Sequence, residues 1–195
     1  MKKLAILFGG AALLAACQST PPPAPPPPPV DLNNLLMAPG FLAHAGSANQ
    51  FEIQSAQLAL QSGVNPSTQS FANMLIADHT AMGQQVAAAA ASAGLTPPPP
   101  TLLPEDQAKL DQLRASGTGA AFNMAFLQAQ ISAHQQAIQM MQNYSANGDV
   151  PALRTVATGA IPVMQKHLQM AQSLAEAPPP PPPPPPTTHR SGERG

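Results

Sequence analysis

The segment FANMLIADHTAM, residues 71–82, places an acid beside an imidazole within a pattern that otherwise indicates a buried helix face. A helix with 3.6 residues per turn aligns positions that are three or four apart. One such set in this segment is Phe71, Leu75, Asp78 and Met82. The spacing predicts that Asp78 points into a helical core and that His79 lies at the border of the same face.

Three more polar residues interrupt apolar stripes elsewhere in the chain. Glu52 lies in a stripe of alanines, His134 in a stripe of Leu, Ile and Met, and His167 in a stripe of Ala, Leu and Met. Each stripe follows helical spacing, so its polar member should face the same interior as its apolar neighbours. We therefore predict a polar core formed by Glu52, Asp78, His79, His134 and His167.

The composition of the central part of the chain favours an all-α domain. Ala, Gln, Met and Leu dominate between residues 40 and 176, and aromatic residues make up only 4% of the sequence. These residue types favour helix over sheet. Glycine and proline signals divide this part into four long helices and a short one, at about 39–62, 66–93, 105–115, 120–146 and 150–177, with Asn65 and Asp149 as N-caps. The prediction is a four-helix bundle with a short extra helix in the crossover connection.

The N-terminus has the features of a bacterial lipoprotein leader. Two lysines precede a short apolar run, and Leu14–Cys17 has the form of a lipobox. The predicted leader is therefore residues 1–16, and cleavage would leave Cys17 as the first residue. Cys17, the only cysteine, would carry the lipid, leaving no thiol for a disulfide or a metal. The alternative is an ordinary secretory signal with an incidental cysteine. Gln18 after the cysteine fits sorting to the outer membrane in a Gram-negative host, with the domain in the periplasm.

Proline-rich segments flank the predicted bundle, which spans residues 39–177. Residues 17–38 should form a stalk in extended polyproline II conformation, and residues 178–195 a disordered proline-rich tail. We interpret both segments as spacers. Binding of the tail to a protein partner is the alternative.

Charge is scarce, which limits the classes of partner and the ways in which the buried acids can be satisfied. Charged residues make up 9% of the chain, against an average of about 25%, and the net charge is −1. Without a basic cluster, nucleic acid is excluded as a partner, and membrane attachment should come from the lipid. No Lys or Arg lies between Pro21 and Ala108. Glu52 and Asp78 therefore need an imidazole, a bound cation, protonation or less burial than the stripes suggest.

The sequence offers little for nucleophilic catalysis. Its serines lie within predicted helices, and no glycine-rich loop follows a strand. The seven methionines of the helical part are most simply core residues, although thioethers are also soft copper ligands: Met74, Met82, Met124, Met140, Met141, Met164 and Met170. We predict no catalytic residues and no organic cofactor.

Short motifs in this order and spacing resemble the ferritin-like domain of unknown function 4142, a family of predicted outer membrane proteins. They are Phe51-Glu52 before Leu58-Ala59, Ser70-Phe71-Ala72 before Ala77-Asp78-His79-Thr80, Gly119-Ala120-Ala121-Phe122, Ala133-His134, and Ile161-Pro162 before His167-Leu168. The resemblance covers about residues 41–174. It implies a ferritin-like bundle in the periplasm, with the five polar-core residues as recurrent positions. Gln69, Asn123 and Phe126 depart from the family's usual Lys, Asp and Tyr.

Carboxylate-bridged di-iron chemistry is not expected. Ferritin-like di-iron proteins use a Glu from each of two helices and a Glu-x-x-His from each of the other two. Here Ile76 and Met164 stand three residues before His79 and His167. A single ion held by His and carboxylate side chains stays open, and Fe, Zn, Mn and Cu are all chemically admissible.

Two functional hypotheses follow from the sequence. The leading one is a non-catalytic, lipid-anchored envelope module with a binding or stress-related role, in which a metal-free polar network fixes the helix register. The alternative is a ferritin-like metal-binding protein, for storage or redox chemistry, with a His and carboxylate site in the bundle core.

Replacing the cysteine of the lipobox tests the leader prediction. Because the lipid is attached through its thiol, Cys17→Ser should abolish both lipid labelling and retention in the membrane fraction. Ser19→Ala, two residues further on, should leave both unchanged. Lipid labelling that persists in Cys17→Ser would contradict the assignment.

Overall fold

The computed structural model describes residues 31–177 of the chain. The leader at residues 1–16, the lipidation site at Cys17, most of the stalk and the tail at residues 178–195 lie outside the described residues. Within residues 31–177 the structure contains helices and no strands, which confirms the all-α prediction.

Five helices occupy the predicted positions: α1 (Ala38–Gln61), α2 (Pro66–Ser92), α3 (Pro104–Ala115), α4 (Gly119–Asn147) and α5 (Pro151–Glu176). Asn65 caps α2 as predicted, since its side-chain oxygen accepts a hydrogen bond from the Thr68 amide. Gly63 and Gly94, which follow α1 and α2, have φ values of +68° and +73°. Other residues rarely adopt this left-handed conformation, so glycine at these positions ends the helices.

The predicted cap of α5 is wrong. Val150, not Asp149, occupies the N-cap position, and no side chain caps the helix there. Asp149 Oδ1 instead accepts a hydrogen bond of 2.8 Å from the Tyr144 hydroxyl. Because this phenol belongs to the buried Tyr144, the acid is better used to satisfy it than to cap a helix that starts with Pro151, which has no amide proton.

The four long helices form a closed ring of neighbours. α1 packs along α2 and α4 along α5, while α2 also contacts α5 and α1 contacts α4. The order in which the helices pass through the two halves of the core shows that α1 and α5 run in one direction and α2 and α4 in the other. The connection from α2 to α4 must therefore cross the length of the domain. It contains α3, which packs against α1 and α4.

The apolar core consists of two clusters, one toward each end of the ring. The phenylalanine cluster contains Phe51, Phe71, Phe122 and Phe126, with Leu75, Leu110, Leu113 and Leu127. The methionine cluster contains Met82, Met141 and Met164, with Phe41, Leu42, Tyr144 and Leu153. On α2, α4 and α5, a polar residue of the predicted core lies between the two clusters along the sequence, whereas Glu52 of α1 follows Phe51 of the phenylalanine cluster.

A small polar network holds α3 to the long helices. The Asp106 carboxylate is buried; it accepts a hydrogen bond of 2.5 Å from the Ser47 hydroxyl and pairs with Lys109 at 2.9 Å. Ser47 Oγ in turn accepts a hydrogen bond from the amide of Leu103, directly before α3. The network therefore fixes the start of α3 against α1.

Within residues 31–177, none of the helices combines the length and the apolar character that a membrane crossing requires.

Truncation of a buried ring tests the assignment of the core. Phe122 is fully buried in the phenylalanine cluster, so Phe122→Ala should lower the free energy of unfolding by about 3–5 kcal/mol in urea denaturation. Met124, two residues along the same helix, is 45% exposed, and Met124→Ala should change stability by less than about 0.5 kcal/mol. Equal effects of the two variants would contradict the orientation of α4.

Candidate metal centre

Three helices each contribute one buried imidazole to a histidine cluster between the two apolar clusters. His79 lies on α2, His134 on α4 and His167 on α5, and all three side chains are at most 3% exposed. Their ring centroids are 5.6, 5.5 and 5.3 Å apart, so the rings form a nearly equilateral triangle. Among residues 31–177, these three histidines form the group of potential metal ligands whose ligand atoms lie close to one another.

On the outside of the triangle, one nitrogen of each ring contacts an oxygen that can only accept. His79 Nδ1 lies 3.0 Å from Asn49 Oδ1, and His134 Nδ1 lies 2.9 Å from the Gln130 carbonyl oxygen. His167 Nε2 lies 2.9 Å from Asp78 Oδ2. Each of these nitrogens must therefore carry the proton and donate it.

The tautomers fixed in this way leave the inner nitrogens without protons. In a neutral imidazole only one nitrogen is protonated, so His79 Nε2, His134 Nε2 and His167 Nδ1 each present a lone pair. His134 Nε2 and His167 Nδ1 face each other at 3.3 Å, while His79 Nε2 is buried and has no hydrogen-bond partner. One ring nitrogen from each histidine lies within 4.8 Å of the other two.

Burial keeps all three imidazoles in the neutral form. Desolvation lowers the pKa of His134 to about 4 and the pKa of His79 well below its usual 6.5. The pKa of His167 is also lowered by desolvation, against the opposing effect of Asp78. Neutral imidazole is the form that binds metal ions, so no proton has to leave the cluster before an ion binds at neutral pH.

The geometry of the inner nitrogens suits a single transition-metal ion. Three nitrogens bound to one ion at about 2.0–2.1 Å lie about 3.3–3.6 Å from each other. The separation of 3.3 Å between His134 Nε2 and His167 Nδ1 already meets this requirement. The hydrogen bonds from the outer nitrogens hold the rings as outer partners hold metal-bound histidines in general.

Glu52 is buried but lies behind His134, not among the inner nitrogens. Its Oε1 is 3.6 Å from His134 Nδ1, the protonated nitrogen that faces away from the other two rings. Desolvation raises the pKa of the Glu52 carboxyl to about 8. Oε2 of Glu52 is buried without a hydrogen-bond partner, so nothing compensates for desolvation of the ionised carboxyl at this atom.

The expected orientations of Asp78 and His79 are reversed. The inward face of α2 runs through Leu75, His79 and Met82, while the Asp78 side chain is 39% exposed at the rim. Steps of three and four residues both fit a helix with 3.6 residues per turn, so the sequence spacing admitted either phase. Asp78 still reaches the cluster, because its carboxylate accepts the proton of His167 Nε2.

Sequence reasoning missed the two other oxygen partners of the cluster, Asn49 and Gln130. Asn49 is three residues before Glu52 and Gln130 four before His134, so helical spacing placed both on inward faces. Neither side chain is ionisable, so a search for buried charge gives no signal for them. Gly83 makes the Asn49 position feasible, since a Cβ there would lie 2.9 Å from Asn49 Nδ2.

Comparison with known proteins gives one family and two structural neighbours. Residues 23–174 match the family described as Domain of unknown function (DUF4142). CopM in the Cu(II)-bound form is similar with a TM-score of 0.59 and 18% identity, over 71% of this chain and 95% of CopM. CopM in the Ag-bound form is similar with a TM-score of 0.56 and 19% identity, over 70% of this chain and 93% of CopM. No curated relative matches the sequence.

Replacing the buried carboxyl tests its protonation in the metal-free protein. An unfolded Glu ionises above about pH 4.5, whereas folded Glu52 stays protonated up to about 8, so its contribution to stability is lost as the pH rises through this range. Glu52→Gln cannot ionise. Its melting temperature relative to the wild type should therefore rise between pH 4.5 and 8, by roughly 10 °C.

The histidines oppose this trend in both proteins, because their lowered pKa values make their contribution complete above pH 6.5 and reduce it toward about pH 4. The difference between variant and wild type cancels their effect. Glu105→Gln, at an exposed carboxyl, controls for the removal of any carboxyl. A difference for Glu52→Gln that does not vary with pH would show that Glu52 is ionised in the folded protein.

Proposed function

The chain belongs to the family described as a domain of unknown function (DUF4142), and from this premise we propose that it is a non-catalytic, metal-binding helical module of the bacterial cell envelope. The observation that carries the proposal is the set of three buried imidazole nitrogens that converge without protons. Three converging nitrogen lone pairs need a positive ion or a proton donor as a partner, and a metal ion can serve all three at once.

A metal-free network is the rival interpretation, and the distances disfavour it. For His134 Nε2 to donate a proton to His167 Nδ1, His134 Nδ1 would have to lose its own. Two lone pairs would then face each other over the 2.9 Å between His134 Nδ1 and the Gln130 carbonyl oxygen. Glu52 Oε1, the other group on that side, is 3.6 Å away and beyond hydrogen-bonding distance. A doubly protonated ring is disfavoured by the burial that lowers each pKa.

The ligand set narrows the choice of ion. Hard ions such as Mn²⁺ prefer carboxylate and water oxygens, and Glu52 and Asp78 both lie behind the rings. Imidazole suits Cu and Zn, and also Fe where open positions are completed by carboxylate or water. Both solved neighbours are CopM, in Cu(II)-bound and Ag-bound forms. We propose copper as the ion, with zinc as the competitor that the same nitrogens would accept.

The helix order supports a ferritin-like arrangement of the long helices. Two helix pairs joined by one long crossover are typical of ferritin-like bundles. The crossover here contains α3, and the directions of the four long helices agree with this topology. The ligands of a di-iron centre are absent from the corresponding positions, where Ile76 and Met164 stand.

Residues at the N-terminus support the envelope location. The leader features of residues 1–16 and the lipobox ending at Cys17 are those of a lipid-anchored protein. We propose an outer membrane lipoprotein whose helical domain lies in the periplasm, with residues 17–38 as a stalk. The tail at residues 178–195 is a candidate for contact with a protein partner.

Metal binding is tested with the full chain, purified without an affinity tag and carrying Cys17→Ser so that no thiol competes for the ion. It should bind one copper ion per chain, measured by elemental analysis after desalting. His79→Leu should lower the affinity by about 100-fold or more, since even residues behind a ligand change metal affinity by about 10–100-fold. This variant also removes the hydrogen bond from His79 Nδ1 to Asn49 Oδ1, so the metal-free protein should lose about 1–3 kcal/mol of stability and no more.

His44→Leu is the matched control. This histidine lies on α1, half-buried and 3.5 Å from Glu105 Oε1, outside the histidine cluster. It should bind copper like the parent protein. A parent chain that retains no Cu or Zn after incubation with each would refute the proposal, and a large loss of metal-free stability in His79→Leu would favour the metal-free network.

A further inference from the structure

The two ends of the core differ in how well they fill space. On the side of the phenylalanine cluster, aromatic rings and leucines pack directly below the histidines. On the side of the methionine cluster, a cavity of about 350 Å³ remains between the helices. The cavity opens to the surface, since Thr80, Gln84 and Pro98 of its wall are exposed, and it leads inward to His79 and His134.

Thioethers and imidazoles share the wall of this cavity. Met82, Met141 and Met164 are buried and line it, together with His79 and His134. Met82 lies three residues after His79 and Met164 three residues before His167, so both stand one helical turn from a ring of the cluster. Since α2 and α5 run in opposite directions, the two turns lie on the same side of the cluster.

Methionine as a mere filler does not account for this arrangement. A flexible side chain used as filler removes empty space, yet here four methionines, the three buried ones and the half-buried Met140, line a space that persists. Leucine at the same positions would be equally apolar and less costly to order, because it loses less rotamer freedom on burial. What methionine adds is a polarisable sulfur that binds soft metal ions.

The types of ligand distinguish between ions at this site. Among the residues that line the cavity, Glu52 is the one acid, and no Asp, Lys or Arg lies there. Three imidazoles also hold divalent ions, as they do in catalytic zinc sites. Thioether sulfur is a soft ligand that favours Cu(I), so the methionines would favour a soft monovalent ion over Zn²⁺ or Cu²⁺.

We propose that Met82, Met141 and Met164 form the access route and the soft side of the metal site, which selects Cu(I), or Ag(I) as its stable substitute, over divalent ions. The inference rests on the proposed metal-binding function and specifies the ion that the site takes. The thioethers accept the ion after it loses its water and bring it to the imidazole nitrogens. The imidazoles alone hold any divalent ion that enters.

The experiment compares Ag(I) and Zn(II) binding to the full chain in the Cys17→Ser background, before and after Met82→Leu combined with Met164→Leu. Exchange of Met for Leu nearly conserves volume, so folding should persist, and circular dichroism checks this. We expect the Ag(I) affinity to fall about tenfold or more and the Zn(II) affinity to change less than about threefold. Met124→Leu, at an exposed position of α4, should alter neither.

The outcomes separate this inference from the function on which it rests. Binding of neither ion by the parent chain would refute the metal-binding function itself. Binding of both ions, with an Ag(I) affinity that the double variant leaves unchanged, would overturn the role of the methionines alone. Equal losses for Ag(I) and Zn(II) would overturn the selectivity as well, because the thioethers would then act only through packing.

Discussion

The hydrogen bonds from three buried imidazoles to three oxygens are the constraint on which the rest of the structure depends. The acceptors lie on α1, α2 and α4, and the rings on α2, α4 and α5. Two of these bonds join different helices, so a slip of one residue in α1, α2 or α5 would leave a buried polar atom without a partner, at a cost of about 1–3 kcal/mol. Apolar stripes tolerate such slips far better, since one methyl group can replace another. The histidine cluster therefore sets the register of α1, α2 and α5.

The sequence predicted the helices well and the interior only in part. Glycine and proline signals located the helix ends, and the unambiguous stripes around His134 and His167 placed both rings inside. The phase of α2 could not be predicted, because Asp78 and His79 are adjacent and both fit helical spacing; packing decides between them. The capping preference of Asp predicts an N-cap at Asp149 because it considers only the neighbouring backbone. The partner of Asp149 is instead the hydroxyl of Tyr144. The tautomers of His79 and His167 depend on oxygens of Asn49 and Asp78, which lie on other helices. Sequence patterns therefore cannot predict which ring nitrogens carry lone pairs.

The positions of the two acids distinguish this site from the carboxylate sites of ferritin-like di-iron proteins. There, glutamates bridge the ions and supply most of the negative charge. Here Asp78 holds the outer nitrogen of His167 at the partly exposed rim, and Glu52 lies behind His134 with a pKa raised to about 8. The centre is therefore neutral, and its only negative charge nearby is separated from it by the width of a ring.

The two ends of the core meet two different requirements, rigid ligands at one end and open space at the other, which a uniformly packed interior could not meet together. Ligands must be held firmly for affinity, and an ion must still be able to reach them. The phenylalanine cluster and the oxygen partners fix the rings from one side, where close packing leaves them little freedom. On the other side the methionines retain flexible side chains around an open cavity, and Pro97, Pro98 and Pro100 of the connection between α2 and α3 complete its wall. Prolines have no amide proton, so this wall offers no backbone donor that an unbound imidazole nitrogen could take as a partner. A single packed core of uniform density would not provide both a rigid triangle of rings and an open space beside it.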